Sequence, residues 1–512
     1  MRIFKVSIFL ILILGLGCKT AQQVVTTPNR VFEFTFLQIN DVYEIAPLEG
    51  GKTGGMARVK ALHDQLMIEN PNLYTVLSGD FLNPSVIGTC KLDGQRVKGA
   101  QMVDMMNRVG VDFVTFGNHE FDLDLEDLQK RIDESGFKWI STNVKETGPN
   151  GFLPFARKSG AVEEAFPEYE VLNIPSVDGE ATLRVGLIGL CLLFNKRDYV
   201  VYEDPFYATE RILGCVRPET DFVMAITHLS MDMDKQLAGR FSELRLIMGG
   251  HEHENMFEVE NGVPIAKADA NAKTAYVHRI RYELPANTLS IDSKLVPLNE
   301  SITPDKEIAA AVQDWETRAY QAFRDAGYQL DKVITKLKEP LNGLETDIRT
   351  KPTNLGSMIA EAMVLASPGA QCAFVNSGSV RIDDMISGEI TEFDVIRTLP
   401  FGGGIENVTM KGRLLEKVLE AGLKNAGSGG YLQTFDLRKQ GGKWQIGGDA
   451  LVPEADYVVA TSGFLMGGGE SNLEFLTCDH ADVVCGDRPD PANPNDIRHD
   501  IRKVLIQYLK NR

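Results

Sequence analysis

The chain has 512 residues, 43% of them hydrophobic, and a formal charge of −18 at pH 7. That length exceeds one ordinary hydrophobic core and predicts roughly two to four folding units. Acidic side chains are in excess and no run of Lys or Arg occurs, which excludes the basic footprint of a nucleic-acid-binding protein; attraction for an anionic substrate has to come from a metal or a few placed arginines.

Residues 1–18, MRIFKVSIFLILILGLGC, begin basic, continue through an apolar run too short for a comfortable membrane span, and end in small residues before a cysteine. The pattern predicts an export signal. LGLGC has the form of a lipoprotein cleavage box, with Leu16 where a smaller residue is commoner. Cys18 is then the lipidated first residue of the mature chain and residues 19–30 its polar tether. This predicts a protein anchored by lipid to a bacterial cell envelope, facing the periplasm or the surface; the alternative is a plain secretory signal with an incidental cysteine. Six further cysteines permit disulfides in an exported chain, and only Cys478 and Cys485, flanking DHADVV, are close enough in sequence to suggest a pair.

From residue 31 to about residue 300, β-rich apolar runs alternate with amphipathic stretches, predicting a layered α/β unit. The expected strands are FEFTFLQI, LYTVLS, DFVTF, KWIST, LRVGLIGL, DFVMAIT and LRLIMG, several apolar throughout and so buried on both faces. Residues 303–327 predict one joining helix: Thr303 and Pro304 open it, acids occupy its first turn, and Gly327 stops it. Residues 328–512 start afresh as a smaller α+β unit, with IAEAMVLA and RLLEKVLEAGLK helical in period and CAFVNSGSVR a strand leading into a turn.

Each buried strand of the first unit ends in the same way. FLQI is followed by Asn40 and Asp41, TVLSG by Asp80, VTFG by Asn118 and His119, MAIT by His228, and LIMGG by His251, Glu252 and His253. Four of the eight histidines fall at these ends. Carboxyl ends of strands are where α/β folds assemble sites. Mixed Asp, Asn and His donors suit zinc, manganese, iron or cobalt better than magnesium or calcium, and two such ions can clamp a phosphate and activate a water.

In this order GDFLNPS, GNHEFD, THLS and GGHEH resemble the calcineurin-like metallophosphoesterase superfamily. NLGSMIAEAM, NSGSVR, LPFGG, GGYLQ and ATSGFLMGGG resemble the carboxyl-terminal domain of bacterial and animal 5'-nucleotidases. The resemblance implies a metallophosphoesterase sandwich with mixed sheets over residues 31–300 and a substrate-binding domain over 328–512. It implies two divalent ions, one held by Asp41, Asp80 and His253, the other by Asp80, Asn118, His228 and His251, with Asp80 bridging. His119 stabilises the phosphoryl group or protonates the leaving oxygen, Asp122 orients it, and a hydroxide on the metals attacks.

One departure stands in the first motif. The family normally reads Asp-x-His, and this chain reads Asp41-Val42-Tyr43. Tyr43 can ligate as a phenolate, Glu44 or a water can fill the place, or Tyr43 can be only a wall of the cleft.

In the second domain the resemblance assigns substrate contacts to Arg349, Asn376 and Arg381, and one aromatic wall of a base pocket to Tyr431. The second wall is missing: GGGESN carries Ser471 and Asn472 where the family has an aromatic ring, leaving Phe464 or Phe475 as substitutes. The function implied is hydrolysis of 5'-nucleotides, with no nucleic acid and no protein partner. The alternatives are a cyclic phosphodiesterase, a diphosphohydrolase, a phosphatase for another phosphoester, or a non-catalytic envelope binding protein with a degraded metal site.

Overall fold

The computed structural model describes residues 30–512 except 93, 150, 161, 194–196, 383, 487, 490–492 and 494. The expected export signal with Cys18, and the tether before Arg30, lie outside the described residues. No helix among the described residues is long and apolar enough to cross a membrane.

The first sheet takes in chain order β1 (Arg30–Ile39), β2 (Leu73–Leu77), β3 (Phe113–Val114) and β4 (Lys138–Trp139), all parallel neighbours. The second is built from β5 (Tyr169–Pro175), β6 (Thr182–Cys191), β7 (Phe222–His228), β8 (Leu244–Gly249), β9 (Met256–Glu260) and β10 (Val263–Lys267), in the order β5-β6-β7-β8-β10-β9. The chain then returns to the first sheet, where β11 (Thr274–Leu284) pairs antiparallel with β1 and β12 (Thr288–Pro297) forms the edge.

Alternation along the strands explains why the sheets stack. In β1, Phe32, Phe34 and Phe36 enter the core between the sheets with Val185, Leu187 and Met224, while Leu37 and Ile39 face a helix layer. Helices α1 (Met56–Glu69) and α2 (Ala100–Val109) cover that side; α3 (Pro205–Val216) and α4 (Met231–Arg240) cover the outer face of the second sheet. The result is an α-β-β-α sandwich with mixed sheets. The expected strands DFVTF and KWIST pair over two residues each, because beyond Val114 the backbone leaves the ladder and the Gly117 N–H turns to the Glu120 carboxylate.

Helix α5 (Lys306–Asp325) starts two residues later than its sequence suggests, since the Asp305 side chain accepts the Ile308 N–H at 2.8 Å and caps it. Its buried face, Ile308, Val312, Ala319 and Phe323, belongs to an apolar cluster that continues into α6 (Asn354–Ala366) and α8 (Ile501–Lys510). Helix α7 (Gly412–Lys424) packs on a separate core across a five-stranded sheet. That sheet comprises β13 (Cys372–Asn376), β14 (Ile405–Lys411), β15 (Leu432–Phe435), β16 (Asp456–Ser462) and β17 (Val483–Cys485), ordered β15-β13-β16-β14-β17. A disulfide joins Cys478 to Cys485 beside its edge strand.

Candidate metal and active site

Parallel register brings the carboxyl ends of β1, β2, β7 and β8 to one edge of the sandwich, so residues more than 200 positions apart meet. Asp41, Asp80 and His228 are fully buried, and one ligand atom from each lies within 4.8 Å of the others. Asp41 Oδ2 accepts the Asn40 side-chain amide at 2.8 Å and the His251 N–H at 2.9 Å. Its Oδ1 is buried without a hydrogen bond and faces His253 Nε2 at 3.4 Å and His228 Nε2 at 3.9 Å. Asp80 Oδ1 accepts the His119 N–H at 2.7 Å. His228 Nδ1 donates to the Ser78 carbonyl at 2.8 Å, which aims Nε2 at Asp80 Oδ2 and Asn118 Oδ1, each 3.2 Å away.

The backbone is held unusually to achieve this. Asp41, Asp80, His251 and His253 all have positive φ, 52°, 58°, 91° and 62°, a region that costs non-glycine residues energy and recurs at functional sites. Gly117 is required by close approach, since a Cβ there would stand 2.1 Å from Asp80 Oδ1.

Charge in this centre is negative and concentrated. Burial opposes ionisation of Asp41 and Asp80, yet His228 with His253 or His119 holds both carboxyls below their usual range. Burial likewise opposes a charge on His228, but Asp80 and Asp41 push it up to about 9. His251 moves the other way, down to about 3, through burial and the neighbouring His228. An unbonded buried carboxylate oxygen among imidazole and amide donors is the environment a borderline divalent cation fits.

His119 Nδ1 lies 2.8 Å from Asp122 Oδ2, which also accepts the Asn83 amide at 2.8 Å. Across the cleft, Arg381 of the second domain places Nη2 3.1 Å from His119 Nε2 and 3.2 Å from Nδ1. The cleft is lined by Tyr43, Glu44, His253, Glu345, Arg381 and Arg397 among others. Arg349 does not line it; its guanidinium pairs with Glu345 at 2.5 Å.

Tyr43 stands inside the metal cluster. Its hydroxyl lies 3.2 Å from Asp80 Oδ2 and 3.0 Å from His253 Nε2, and the side chain is 8% exposed. Burial, then Asp80 and Asp41, push the phenol well above its usual pKa. Glu44 turns aside: its Oε1 accepts the Val86 N–H at 3.1 Å.

Asn376 donates to Glu470 Oε2 at 3.0 Å, and Tyr431 is buried outside the apolar clusters. Ser471 and Asn472 are exposed. Phe475 is half-buried against the second core with Lys417 Nζ 3.6 Å above its ring, whereas Phe464 is 52% exposed and packs on Gly469.

Two site residues escaped sequence reasoning. Glu120, buried, accepts the N–H groups of Asp80, Phe81, Leu82 and Gly117 at 2.7–3.1 Å and so fixes the turns that carry Asp80 and His119. Lys267, also buried, donates to Leu229 O at 2.6 Å and Glu252 Oε2 at 2.5 Å and lies 3.0 Å from Asp234 Oδ2. Its signal was a lysine ending the apolar strand VPIAK.

Comparison with known proteins agrees with this architecture. Residues 34–255 match the family model for calcineurin-like phosphoesterase and residues 333–477 that for the 5'-nucleotidase C-terminal domain. The 5'-nucleotidase of Homo sapiens is 25% identical over 86% of this chain and 84% of its own, and that of Vibrio cholerae 26% identical over 89% and 88%. The crystal structure of a 5'-nucleotidase precursor from Thermus thermophilus superposes with a TM-score of 0.73 at 23% identity, covering 94% of this chain and 96% of that one. The chain belongs to the 5'-nucleotidase family, a calcineurin-like phosphoesterase domain followed by a 5'-nucleotidase C-terminal domain.

Proposed function

We propose that this chain is a lipid-anchored phosphohydrolase of a bacterial cell envelope that cleaves 5'-nucleotides to nucleoside and phosphate. Its family supports metal-dependent hydrolysis of nucleotide phosphomonoesters. The observation that carries the reading is Arg381 of the second domain reaching His119 beside the buried Asp41, Asp80 and His228 cluster. An anionic group entering there meets a guanidinium and an imidazole at once. Export and attachment through Cys18 rest on the pattern of residues 1–18.

In this reading Asp41, Asp80 and His253 hold one divalent ion, and Asp80, Asn118, His228 and His251 a second, drawn from zinc, manganese, cobalt or iron. Such ions, when bound, supply Lewis-acid charge to the phosphoryl oxygens and lower the pKa of water. Arg381 grips the phosphoryl group by charge-assisted hydrogen bonds. As the phosphorus–oxygen ester bond breaks, the leaving oxygen takes a proton from His119, whose ring Asp122 keeps in place. Arg349, Asn376 and Tyr431 receive the nucleoside, Tyr431 by stacking.

The test is phosphate release from AMP and from an aryl phosphate by the metal-stripped mature chain, resupplied with each ion in turn. AMP turnover well above the aryl phosphate is expected. Turnover of the aryl phosphate alone removes the nucleotide from the reading, and silence with every ion favours a binding protein.

A further inference from the structure

The chain's departure at Tyr43 weighs on one metal position more than on the other. Of the two atoms that its hydroxyl meets, His253 Nε2 at 3.0 Å belongs to the first position alone, and Asp80 Oδ2 at 3.2 Å is shared by both. A single O–H donates to one of them. If it donates to Asp80, His253 Nε2 must carry a hydrogen and donate to the phenol oxygen; if it donates to His253, it covers the lone pair. Either way, the His253 atom suited to an ion is turned to Tyr43.

The ring is confined as well. It packs edge-on against the His119 and His253 imidazoles, at centroid distances of 6.4 and 5.5 Å, and its backbone N–H is bound to Asn271 Oδ1 at 3.0 Å. At the second position the arrangement is the reverse. His228 is anchored through Nδ1 on Ser78 O, so Nε2 already points at Asp80 and Asn118. A neutral phenol is also a poorer donor to a borderline divalent ion than an imidazole nitrogen.

We propose that Tyr43 acts as a competitor for the first metal position, so that the centre loads one ion tightly at Asp80, Asn118, His228 and His251 and a second only weakly at Asp41, Asp80 and His253. The inference rests on the two-position assignment made above. It turns a two-metal centre into one that fills in sequence, the second ion joining at higher free-metal concentration.

The test is metal binding by the full mature chain, stripped with chelator and titrated with zinc, read by calorimetry and elemental analysis without substrate. Melting temperature reports the folding of each variant. Wild type is expected to bind one tight equivalent and a second at least about tenfold more weakly, in line with the loss from disturbing one ligand's surroundings. Tyr43→His should bind two equivalents of similar affinity. Tyr43→Phe should lose neither, because it removes a competitor and no ligand. Equal filling by wild type overturns the proposal. So does loss of an equivalent in Tyr43→Phe, or a visible charge-transfer band in the ferric-loaded wild type that Tyr43→Phe lacks, either of which makes the phenol a ligand. If wild type binds no zinc tightly, the metal assignment beneath both readings falls, a result distinct from equal filling.

Discussion

Arg381 Nη2 lies 3.1 Å from His119 Nε2, joining the second domain to the candidate catalytic imidazole of the first. A guanidinium has no acceptor, and its Nη2 sits almost equally near both ring nitrogens, so it lays positive charge against the imidazole while Nδ1 turns its hydrogen to Asp122. In the proposed function Arg381 therefore meets the phosphoryl end of a substrate, away from the base.

From this contact, Arg381→Ala should damage turnover of AMP and of an aryl phosphate alike. A lost charge-assisted hydrogen bond predicts a fall in kcat/KM of about 10- to 100-fold for each. Tyr431→Ala should instead cost AMP about tenfold, the worth of one base stacked on a ring, and leave the aryl phosphate unchanged. Steady-state kinetics on both substrates check the pair; an Arg381→Ala loss confined to AMP would place that residue in the nucleoside pocket instead.

Asp80 touches His119, His228 and Tyr43 at once. Asp80→Asn keeps the side chain's shape and removes the charge shared between the two metal positions. Expected are loss of tight metal and a fall in kcat of about a thousandfold or more, the scale of a missing metal-assisted step. Chelation of wild type should abolish turnover in the same way, with recovery on adding metal back. Two tightly bound ions in Asp80→Asn would contradict the bridging role.

Much of this centre is legible in the sequence because a parallel sheet imposes a simple grammar, an apolar strand and then a polar turn. Asp41, Asp80, Asn118, His228 and His251 each follow such a run, and the stacking of two sheets with parallel strands brings them together. Glu120 was visible only as a letter of GNHEFD, since its four N–H partners come from two turns separated by about 36 residues and no local pattern links them. The aim of Arg381 depends on how two domains dock, which neither domain's periodicity encodes. Tyr43 was left with several roles because its neighbours, Asp80 and His253, are 37 and 210 positions away.

Lys267 ties two ligand-bearing loops with one ammonium. Leu229 follows His228, and Glu252 stands between His251 and His253. Glu252→Gln removes the charged link to the second loop while leaving the Lys267–Asp234 pair intact. Zinc affinity should drop about tenfold, as when the support behind a metal ligand is removed. Lys267→Met should do more, costing about 3–5 kcal/mol of stability by stranding the buried Asp234 carboxylate. Calorimetric zinc titration and denaturant unfolding of both variants decide this; unchanged zinc affinity in Glu252→Gln would mean that the ammonium serves only the core.

Asp500 gives the pH dependence. It accepts the Tyr328 hydroxyl at 2.6 Å, pairs with Arg502 at 2.6 Å, and caps α8 through the Arg502 N–H at 3.0 Å. Burial opposes its ionisation, but Arg502 and the Tyr328 hydroxyl hold its carboxyl below the usual range. A folded pKa below the unfolded value of about 3.9 means that the stabilisation is complete above that pH and fades as pH falls through the lower folded value. Asp500→Asn retains a capping oxygen and removes the charge, so it should cost about 3 kcal/mol at pH 7, the low end for breaking a buried ion pair. The gap to wild type should begin to narrow as the pH drops below about 4 and close only under the lower folded value, where protonated wild type resembles the variant. Unfolding midpoints of both chains between pH 3 and 7 measure it, and a gap that stays constant across that range would show that Asp500 acts through packing and capping without its charge.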